Sequence, residues 1–273
     1  MYNILITGCS TGIGYFCAHA LKKDGYNVFA TCRDEKDVEK LQNEGLKAYK
    51  LDLVDTKSME QALDWMSKEC DGKIDILFNN GAYGQPGAVE DLRKEVLKEQ
   101  FETNVFGTQE LTNMVLPYMR KNSFGRVVYN SSILGFAAMS YRGAYNASKY
   151  AIEGLCDTMR LELRGSGIDV VLIEPGPIRS DFRKNALIKF KENIDVQKSA
   201  HKEIYEKTLS RLQGEGDAPF TLGSEAVYEV LIKAIESEKP QARYYVTFPT
   251  KLFGVLKRIL PNRALDKILS MID

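Results

Sequence analysis

The amino-acid sequence predicts an α/β fold: a doubly wound parallel sheet flanked by helices on both faces. Two observations carry this prediction. The first two-thirds of the chain alternates between short runs rich in Val, Ile, Leu and Phe and longer segments with helical spacing. The short runs are continuously apolar, which is typical of strands covered on both faces. Alternating strands and helices imply right-handed crossovers and therefore a parallel sheet.

The individual elements follow from these two patterns in chain order. The predicted strands are Asn3–Thr7, Asn27–Cys32, Lys47–Leu51, Ile74–Asn79, Arg126–Ser131, Asp169–Glu174 and Arg243–Phe248. The predicted helices are Ile13–Lys23, Glu35–Glu44, Lys57–Cys70, Leu92–Arg120, Ala144–Arg164 and Glu225–Ser237. No repeat or low-complexity linker interrupts this order, so we predict one domain over residues 1–273.

Composition narrows the class of protein. Lys and Arg total 37, as do Asp and Glu, so no global field attracts nucleic acid. The five scattered cysteines form no C-x-x-C pair, which favours a reduced, cytoplasmic location. Two histidines argue against a histidine triad or a metal cluster. Neither a signal peptide nor a membrane-spanning stretch is indicated.

Residues 181–222 break the alternation of strands and helices. This segment is long and charged and contains Gly214 and Gly216. It follows a strand end, and ligands of such sheets bind at the carboxyl ends of the strands. We interpret it as a mobile substrate lid, with a solvated helical insertion as the alternative.

The C-terminal tail, residues 249–273, has an amphipathic pattern. Its apolar residues repeat at helical spacing, with basic residues among them: Leu252, Phe253, Leu256, Ile259 and Leu260, then Leu265, Ile268 and Leu269 beyond Pro261. Such a stripe usually docks on the protein body or on a subunit partner, which is the favoured interpretation. The alternative is a peripheral contact with a membrane surface.

A glycine-rich turn follows the first predicted strand. It contains Gly8, Ser10, Thr11, Gly12, Ile13 and Gly14 and leads directly into a helix. Glycines allow a phosphate to approach the backbone, and a helix N-terminus offers free N–H groups and a positive dipole. The position between a strand and a helix therefore predicts a nucleotide phosphate site.

The most informative pattern in the chain is Tyr145-x-x-x-Lys149 with Ser132 upstream. Tyrosine has a reference pKa of about 10 and is a weak acid–base catalyst at neutral pH. Lys149 lies one helical turn further on the same face, where its charge favours the phenolate. Alone this spacing is weak evidence; the glycine-rich turn makes it informative.

The two motifs together resemble the short-chain dehydrogenase/reductase family, in its compact single-domain branch. That branch carries T-G-x-x-x-G-x-G early and Ser with Y-x-x-x-K in the middle. The likeness covers roughly residues 1–180. It implies a Rossmann-like fold and hydride transfer with a nicotinamide nucleotide. Family habit also implies a homodimer or homotetramer packed through the helices that carry Asn104 and Tyr145.

The resemblance implies roles for further residues. Ser10, Thr11 and Ile13 would contact pyrophosphate and ribose, and Asp52 and Leu53 the adenine. The remaining cofactor-binding candidates are Asn79, Asn80, Pro175, Gly176, Ile178 and Ser180, besides Tyr145 and Lys149 themselves. The family pattern N-N-A-G is N-N-G-A here, because Gly81 and Ala82 are exchanged.

The catalytic roles are also implied by the resemblance. Tyr145 would be the general acid/base, and Lys149 would lower its pKa and bind the cofactor ribose. Ser132 would stabilise charge on the carbonyl oxygen. Asn104 would hold a water that links the lysine to solvent.

The end of the second predicted strand bears on which nicotinamide nucleotide is bound. Family members selective for NAD carry an acidic residue there, whereas this chain has Cys32 followed by Arg33. A guanidinium at that place suits a 2′-phosphate, so we predict NADP, with NAD as the alternative. Asp34 is interpreted as the N-cap of the next helix.

Candidate substrate residues around the catalytic set are mostly apolar. They are Tyr83, Leu134, Met139, Tyr141 and Phe182, with Gln85 and Ala138 nearby. Such a pocket suits a lipophilic ketone, aldehyde or alcohol, as in steroid- or retinoid-type family members. Arg142 and Arg179 keep a charged substrate as an alternative. The competing hypothesis from another class is an NAD(P)-binding regulator or redox sensor with little turnover.

Overall fold

A computed structural model describes residues 1–213 and 216–271. The strands are β1 (Asn3–Ile6), β2 (Asn27–Cys32), β3 (Lys47–Lys50), β4 (Ile76–Asn79), β5 (Gly125–Asn130), β6 (Ile168–Glu174) and β7 (Arg243–Tyr245). They form one sheet in the order β3-β2-β1-β4-β5-β6-β7. Each neighbouring pair is parallel, so the predicted fold class is confirmed.

Helices connect and cover these strands. The first group is α1 (Gly12–Lys23), α2 (Glu35–Asn43), α3 (Thr56–Glu69), α4 (Lys94–Phe101), α5 (Thr108–Lys121) and α6 (Gly143–Glu162). The second group is α7 (Phe182–Asn193), α8 (Lys202–Gln213), α9 (Glu225–Glu236), α10 (Phe248–Ile259) and α11 (Asn262–Leu269). The last predicted strand ends earlier than expected, since Phe248 begins α10 with a proline in the first turn.

The apolar core lies on both faces of the sheet. Ile4 and Ile6 of β1 point to one face, where they pack with α1, α2 and α9. Leu5 points to the other, among residues of α3, α5 and α6. A strand buried on both faces needs no polar side chain, which explains the continuous apolar runs of the sequence.

The prediction of one regular helix over Leu92–Arg120 is wrong. The helix begins at Lys94 and contains a π-helical segment, Glu102–Gly107, between α4 and α5. The backbone is crowded there: a Cβ atom on Gly107 would lie 1.7 Å from the carbonyl oxygen of Leu53. The inserted residue of a π turn changes the direction of the side chains on it, and such turns are frequent at functional sites.

The segment interpreted as a lid is largely helical. It contains α7, a 3₁₀ turn at Val196–Lys198 and α8. Phe190, Ile194 and Tyr205 from this segment pack against Leu92 and Ala144 of the body. The glycine at position 214 lies outside the described residues, and its neighbour Gly216 is exposed. Whether this helical hairpin opens as a lid stays a prediction.

The tail forms α10 and α11, which pack on the body. Phe253, Leu265 and Leu269 form an apolar cluster with Ala137, in the loop after β5. The predicted stripe does not lie on one face, because Leu252 and Ile259 are 41% and 66% exposed. In the described part of the chain no helix is long and apolar enough to cross a membrane.

Candidate active site

The turn between β1 and α1 is tightly folded. Gly8 and Gly12 have φ angles of +71° and +61°, in the left-handed region that favours glycine. A Cβ atom on Gly14 would lie 2.3 Å from the carbonyl oxygen of Gly8. Thr11 stands at the N-cap of α1 without a side-chain capping bond. The open backbone donors at this helix start are suited to an anionic group.

Asn80 holds the glycine-rich turn in place. Its Nδ2 donates to the carbonyl oxygens of Thr7 at 2.9 Å and Gly8 at 3.1 Å. Its Oδ1 accepts from Asn130 Nδ2 at 2.9 Å. One carboxamide therefore joins the ends of β1, β4 and β5, at the point where the strand order reverses.

The exchanged Gly81 and Ala82 are accommodated by this packing. The N–H of Gly81 donates to Thr7 Oγ1 at 2.9 Å. A Cβ atom on Gly81 would lie 3.1 Å from Leu53 Cδ1 and 3.3 Å from Thr7 Oγ1, closer than ordinary contact. The glycine therefore lets the strand ends approach each other closely.

Asn79, the neighbour of Asn80, has a different environment. It is buried, and its Nδ2 donates to Thr112 Oγ1 of α5 at 2.9 Å. The Asn79 side chain is therefore engaged with the helix layer and not with the glycine-rich turn. Its Oδ1 has no hydrogen-bond partner among the described residues.

The predicted adenine and ribose contacts lie at the ends of β2 and β3. Arg33 is 70% exposed, and its guanidinium lies 3.6 Å from the Asp34 carboxylate. Asp34 occupies the N-cap position of α2, but its side chain makes no capping hydrogen bond. Asp52 Oδ1 accepts from the N–H of Val54 at 3.1 Å, and Leu53 beside it is buried.

The loop after β6 lies next to the glycine-rich turn. A Cβ atom on Gly12 would lie 2.9 Å from Ser180 Cβ. The N–H of Ile133 donates to the Pro175 carbonyl at 2.8 Å, and Ile178 forms a bridge with Leu222. Gly176 faces α10: a Cβ atom on it would lie 2.2 Å from Thr247 Oγ1 and 3.0 Å from Thr250 Oγ1.

Tyr145 and Ser132 are brought together in the structure. Ser132 follows β5, and its hydroxyl lies close enough to Tyr145 to lower the pKa of the phenol. Ser132 Oγ also accepts from the N–H of Leu134 at 3.1 Å, which fixes its position. Burial raises the pKa of Tyr145 to about 12, whereas Ser132 and the charge of Arg142 lower it. The phenol is therefore protonated at neutral pH.

Lys149 lies beside Tyr145 on the same face of α6. Its Nζ is 5.6 Å from the centre of the Tyr145 ring and donates to the Asn130 carbonyl at 2.7 Å. Burial lowers the pKa of Lys149 to about 8, and the negative charge of Glu153 opposes this change. Since Asn130 also contacts Asn80, hydrogen bonds connect the lysine to the glycine-rich turn.

Asn104 lies in the π-helical segment and is 2% exposed. Its Oδ1 accepts from the N–H of Tyr83 at 3.1 Å, while its Nδ2 donates to the Tyr83 carbonyl at 2.9 Å. The Nδ2 also lies 3.2 Å from Ser148 Oγ. This carboxamide holds the chain after β4 against α6. A role for Asn104 in holding water stays a prediction.

Part of the predicted substrate set surrounds Tyr145. The Phe182 ring packs edge-on against the Tyr145 ring, with centres 5.2 Å apart. Phe182 also covers Gly84, where a Cβ atom would lie 2.7 Å from the Phe182 ring. Tyr83 lies under Lys189 of α7, with Nζ 5.6 Å from its ring centre, and Leu134 is buried beside Ser132.

Other predicted substrate residues have different surroundings. Met139 and Ala138 line a cavity of about 510 Å³ between the loop after β5 and the tail helices. Tyr141 hydrogen-bonds His201 Nδ1 at 3.1 Å and packs on Tyr205, so its side chain lies against residues 181–222, the segment interpreted as a lid. The loop after β5 thus places Met139 and Ala138 at this cavity and Tyr141 against α8.

Two residues proposed as alternative anion contacts already have partners. The exposed Arg179 pairs with Asp217, with Nε 3.0 Å from the carboxylate. Arg142 Nη1 lies 2.9 Å from the Met139 sulfur.

Gln85, another residue predicted near the pocket, is buried, and its Oε1 accepts from Asn193 Nδ2 of α7 at 2.8 Å.

Sequence reasoning missed a buried charge cluster behind Lys149. Arg243 of β7 donates to Glu153 at 2.9 Å and to Glu174 at 3.1 Å. Glu174 is fully buried just before Pro175, and burial raises the pKa of its carboxyl to about 9. Glu153 could have been identified from its spacing, since it follows Lys149 by one helical turn.

Within residues 1–213 and 216–271, no group of three or more His, Cys, Asp or Glu side chains is arranged to hold a metal ion.

A family model described as short chain dehydrogenase matches residues 2–189 of the chain. An uncharacterized oxidoreductase, YbbO, of Escherichia coli (strain K12) is 40% identical over 267 residues, which cover 98% of this chain and 93% of the relative. A 3-ketodihydrosphingosine reductase of Bacteroides thetaiotaomicron is 32% identical over 267 residues, covering 96% and 94% of the two chains.

A solved structure shows the same likeness in three dimensions. A short-chain dehydrogenase from Streptomyces avermitilis superposes with a TM-score of 0.76 at 25% identity. The match covers 94% of this chain and 93% of the other.

Proposed function

Because the chain belongs to the short-chain dehydrogenase/reductase family, we propose that it is an NADP-dependent oxidoreductase. It would interconvert a lipophilic ketone or aldehyde and the corresponding alcohol. The observation that carries this proposal is that Ser132 and the buried Lys149 both lie beside Tyr145. A proton donor, an oxygen-binding hydroxyl and a buried cation meet there at the carboxyl ends of the strands.

The residues present fit a nicotinamide nucleotide. The positive φ angles of Gly8 and Gly12 and the open start of α1 suit its pyrophosphate. Lys149 and the loop from Pro175 to Ser180 would hold the nicotinamide half, as the family resemblance implies. When bound there, the nucleotide would exchange hydride with the carbonyl carbon of the substrate.

The protein's own part in the reduction is to move one proton. Ser132 would hydrogen-bond the carbonyl oxygen and stabilise the negative charge that develops on it. Tyr145 would donate its phenolic proton to that oxygen, because its raised pKa keeps it protonated until a stronger base forms. In the oxidative direction Tyr145 accepts the proton, and the positive charge of Lys149 favours the phenolate.

The preference for NADP rests on Arg33. Its exposed guanidinium at the end of β2 can pair with a 2′-phosphate, which NAD lacks. Asp34 lies close enough to orient the guanidinium and would repel the phosphate. Because an Arg contact with phosphate is charge-assisted and often bidentate, we expect attraction to outweigh this repulsion.

The substrate class rests on the apolar surroundings of Tyr145. The ring of Phe182 packs on Tyr145, and the buried Leu134 lies beside Ser132. A relative 32% identical to this chain is described as a 3-ketodihydrosphingosine reductase, whose name indicates a long-chain ketone. Both facts support a lipophilic carbonyl compound over a small, charged one.

Measuring nucleotide oxidation over a panel of lipophilic ketones and aldehydes tests the proposal, with NADPH and NADH in parallel. We expect turnover with some members of the panel and a higher kcat/KM with NADPH. Arg33→Ala should lower kcat/KM for NADPH roughly 10- to 100-fold and leave that for NADH within about threefold. An unchanged ratio in Arg33→Ala would refute the role of Arg33, and no turnover across the panel would refute the substrate class.

The pH dependence of the reaction tests Lys149. We expect kcat/KM for the nucleotide to fall as pH rises through the pKa of Lys149, near 8 in the nucleotide-free protein, because the cation is lost. Glu153→Gln removes a negative charge that raises this pKa, so the fall should begin roughly 0.5–1 pH unit lower.

The matched control is Asp157→Asn. Asp157 is also a partner of Arg243, at 2.9 Å, but it is not among the groups that shift the pKa of Lys149. Its pH profile should therefore match that of the unmodified protein. An equal shift in both variants would mean that disruption of the Arg243 cluster is the cause, and not the charge of Glu153.

A further inference from the structure

Helix α10 has two apolar faces, and the body covers only one of them. Phe253 and Gly254 are buried against the body. On the opposite side lie Phe248, Leu252, Val255 and Ile259, which are 58%, 41%, 56% and 66% exposed. These four residues recur at intervals of three and four, so they form one stripe along the helix, here called the outer stripe.

The outer stripe continues onto the neighbouring loop. The ring of Phe220 lies 5.4 Å from that of Phe248 and is 59% exposed. Phe220 has a φ of +63°, which is unfavourable for a bulky residue. The backbone thus holds an aromatic side chain at the surface at a conformational cost, next to an exposed aromatic of α10.

The charged residues of α10 are all basic. Helix α10 contains Lys251, Lys257 and Arg258 and no acidic residue. Lys251 and Arg258 are seven positions apart and lie along the same flank of the outer stripe. Over residues 248–271 there are five basic residues and one acidic residue, although the whole chain has zero net charge. Basic side chains beside an apolar stripe are typical of helices that lie in a bilayer surface.

We propose that the outer stripe binds the surface of an anionic lipid bilayer, with α10 lying in the plane of the membrane. The apolar side chains would enter the boundary between headgroups and acyl chains, and Lys251 and Arg258 would contact lipid phosphates. A second copy of the chain is a poorer occupant. A two-fold contact would place the basic flanks of two α10 helices close together, without acidic residues of α10 to compensate them.

This orientation would place the entrance of the proposed active site near the membrane. Thr247 and Thr250, at the start of α10, contact Gly176 in the loop after β6. Leu222, two residues after Phe220, bridges to Ile178 in the same loop. A lipophilic compound dissolved in the bilayer would then cross only a short distance of water between the membrane and Tyr145. The membrane contact itself does not depend on the proposed function, because it is measurable without substrate.

Co-sedimentation of the full chain with lipid vesicles tests the proposal. We expect binding to vesicles of phosphatidylcholine with added phosphatidylglycerol, and weaker binding to phosphatidylcholine alone. Val255→Glu with Ile259→Glu should lower the affinity for the anionic vesicles at least about tenfold, because it removes apolar contact and adds repulsion. Lys251→Glu with Arg258→Glu should lower it by a similar factor, and added salt should weaken binding of the unmodified chain.

The matched control is Val54→Glu with Leu161→Glu. These aliphatic residues are 51% and 64% exposed but lie outside the tail, so the same change in charge should leave vesicle binding as in the unmodified chain. A loss of binding in Val54→Glu with Leu161→Glu as large as that in Val255→Glu with Ile259→Glu would overturn the proposal, as would absence of binding by the unmodified chain. Sedimentation velocity gives the mass without lipid. If the unmodified chain bound no vesicles, and only Val255→Glu with Ile259→Glu had a lower mass than the unmodified chain, the outer stripe would be assigned to a protein interface.

Discussion

Tyr145→Phe is expected to lose at least about 1000-fold in kcat while nucleotide affinity stays within about twofold. Phenylalanine keeps the ring that packs on Phe182, 5.2 Å between centres, so the shape of the site is preserved. The lost hydroxyl is the only part of the side chain that can donate a proton to the carbonyl oxygen. Steady-state kinetics measures the loss of kcat, and a fluorescence titration measures the affinity for the nucleotide.

Tyr150→Phe is the matched control, since Tyr150 lies on the same helix and is 39% exposed outside the site. It should turn over at the rate of the unmodified protein. Near-normal turnover in Tyr145→Phe would refute proton transfer by this residue. Equal losses of turnover and of nucleotide binding in Tyr145→Phe would show that the hydroxyl serves the nucleotide site instead.

Gly14→Ala is expected to weaken nucleotide binding at least about tenfold and to lower the free energy of unfolding by about 1–3 kcal/mol. The added methyl group would lie 2.3 Å from the Gly8 carbonyl oxygen and 2.5 Å from Asn80 Nδ2. Those two atoms are hydrogen-bonded to each other, so the substitution would separate the strand ends that Asn80 joins. Urea unfolding and a nucleotide titration measure the two effects.

Gly154→Ala gives the comparison for this substitution. Gly154 lies in α6, and a Cβ atom there would have no neighbour within 4 Å. Alanine should therefore stabilise the protein by roughly 0.5–1 kcal/mol through helix propensity alone. If Gly14→Ala also raised the free energy of unfolding, the close approach of the turn to Asn80 would contribute nothing measurable to stability.

The fold could be predicted from the sequence because a doubly wound sheet has a strong local signature. Runs such as Ile4–Ile6 and Val170–Ile173 are apolar at every position, which is typical of strands covered on both faces. The register of the strands and their order in space are not local properties. The rule that crossovers are right-handed indicated a parallel sheet, but neither the register nor the order of its strands.

The parts of the candidate site that could be predicted are those whose residues lie at fixed spacing within one helix or one turn. Lys149 follows Tyr145 by one helical turn, and Gly8, Gly12 and Gly14 share one turn of chain. The surroundings of Met139 and Tyr141 could not be predicted, because they depend on how the tail helices and α8 lie next to the loop after β5. The cluster of Glu153, Glu174 and Arg243 was missed for the same reason, since it joins a helix to two strands.

The π-helical segment at Glu102–Gly107 has a consequence for the length of the chain. A π turn holds one residue more than an α turn, so deletion of one residue there would restore a regular α-helix. Because a π turn absorbs its extra residue locally, the helix beyond the deletion would keep its orientation, and Thr112 would still contact Asn79 and Tyr129. Asn104 lies inside the segment, so its side chain would turn away from Tyr83. The one extra residue therefore sets the direction of Asn104 and leaves the rest of the helix as an ordinary α-helix would have it.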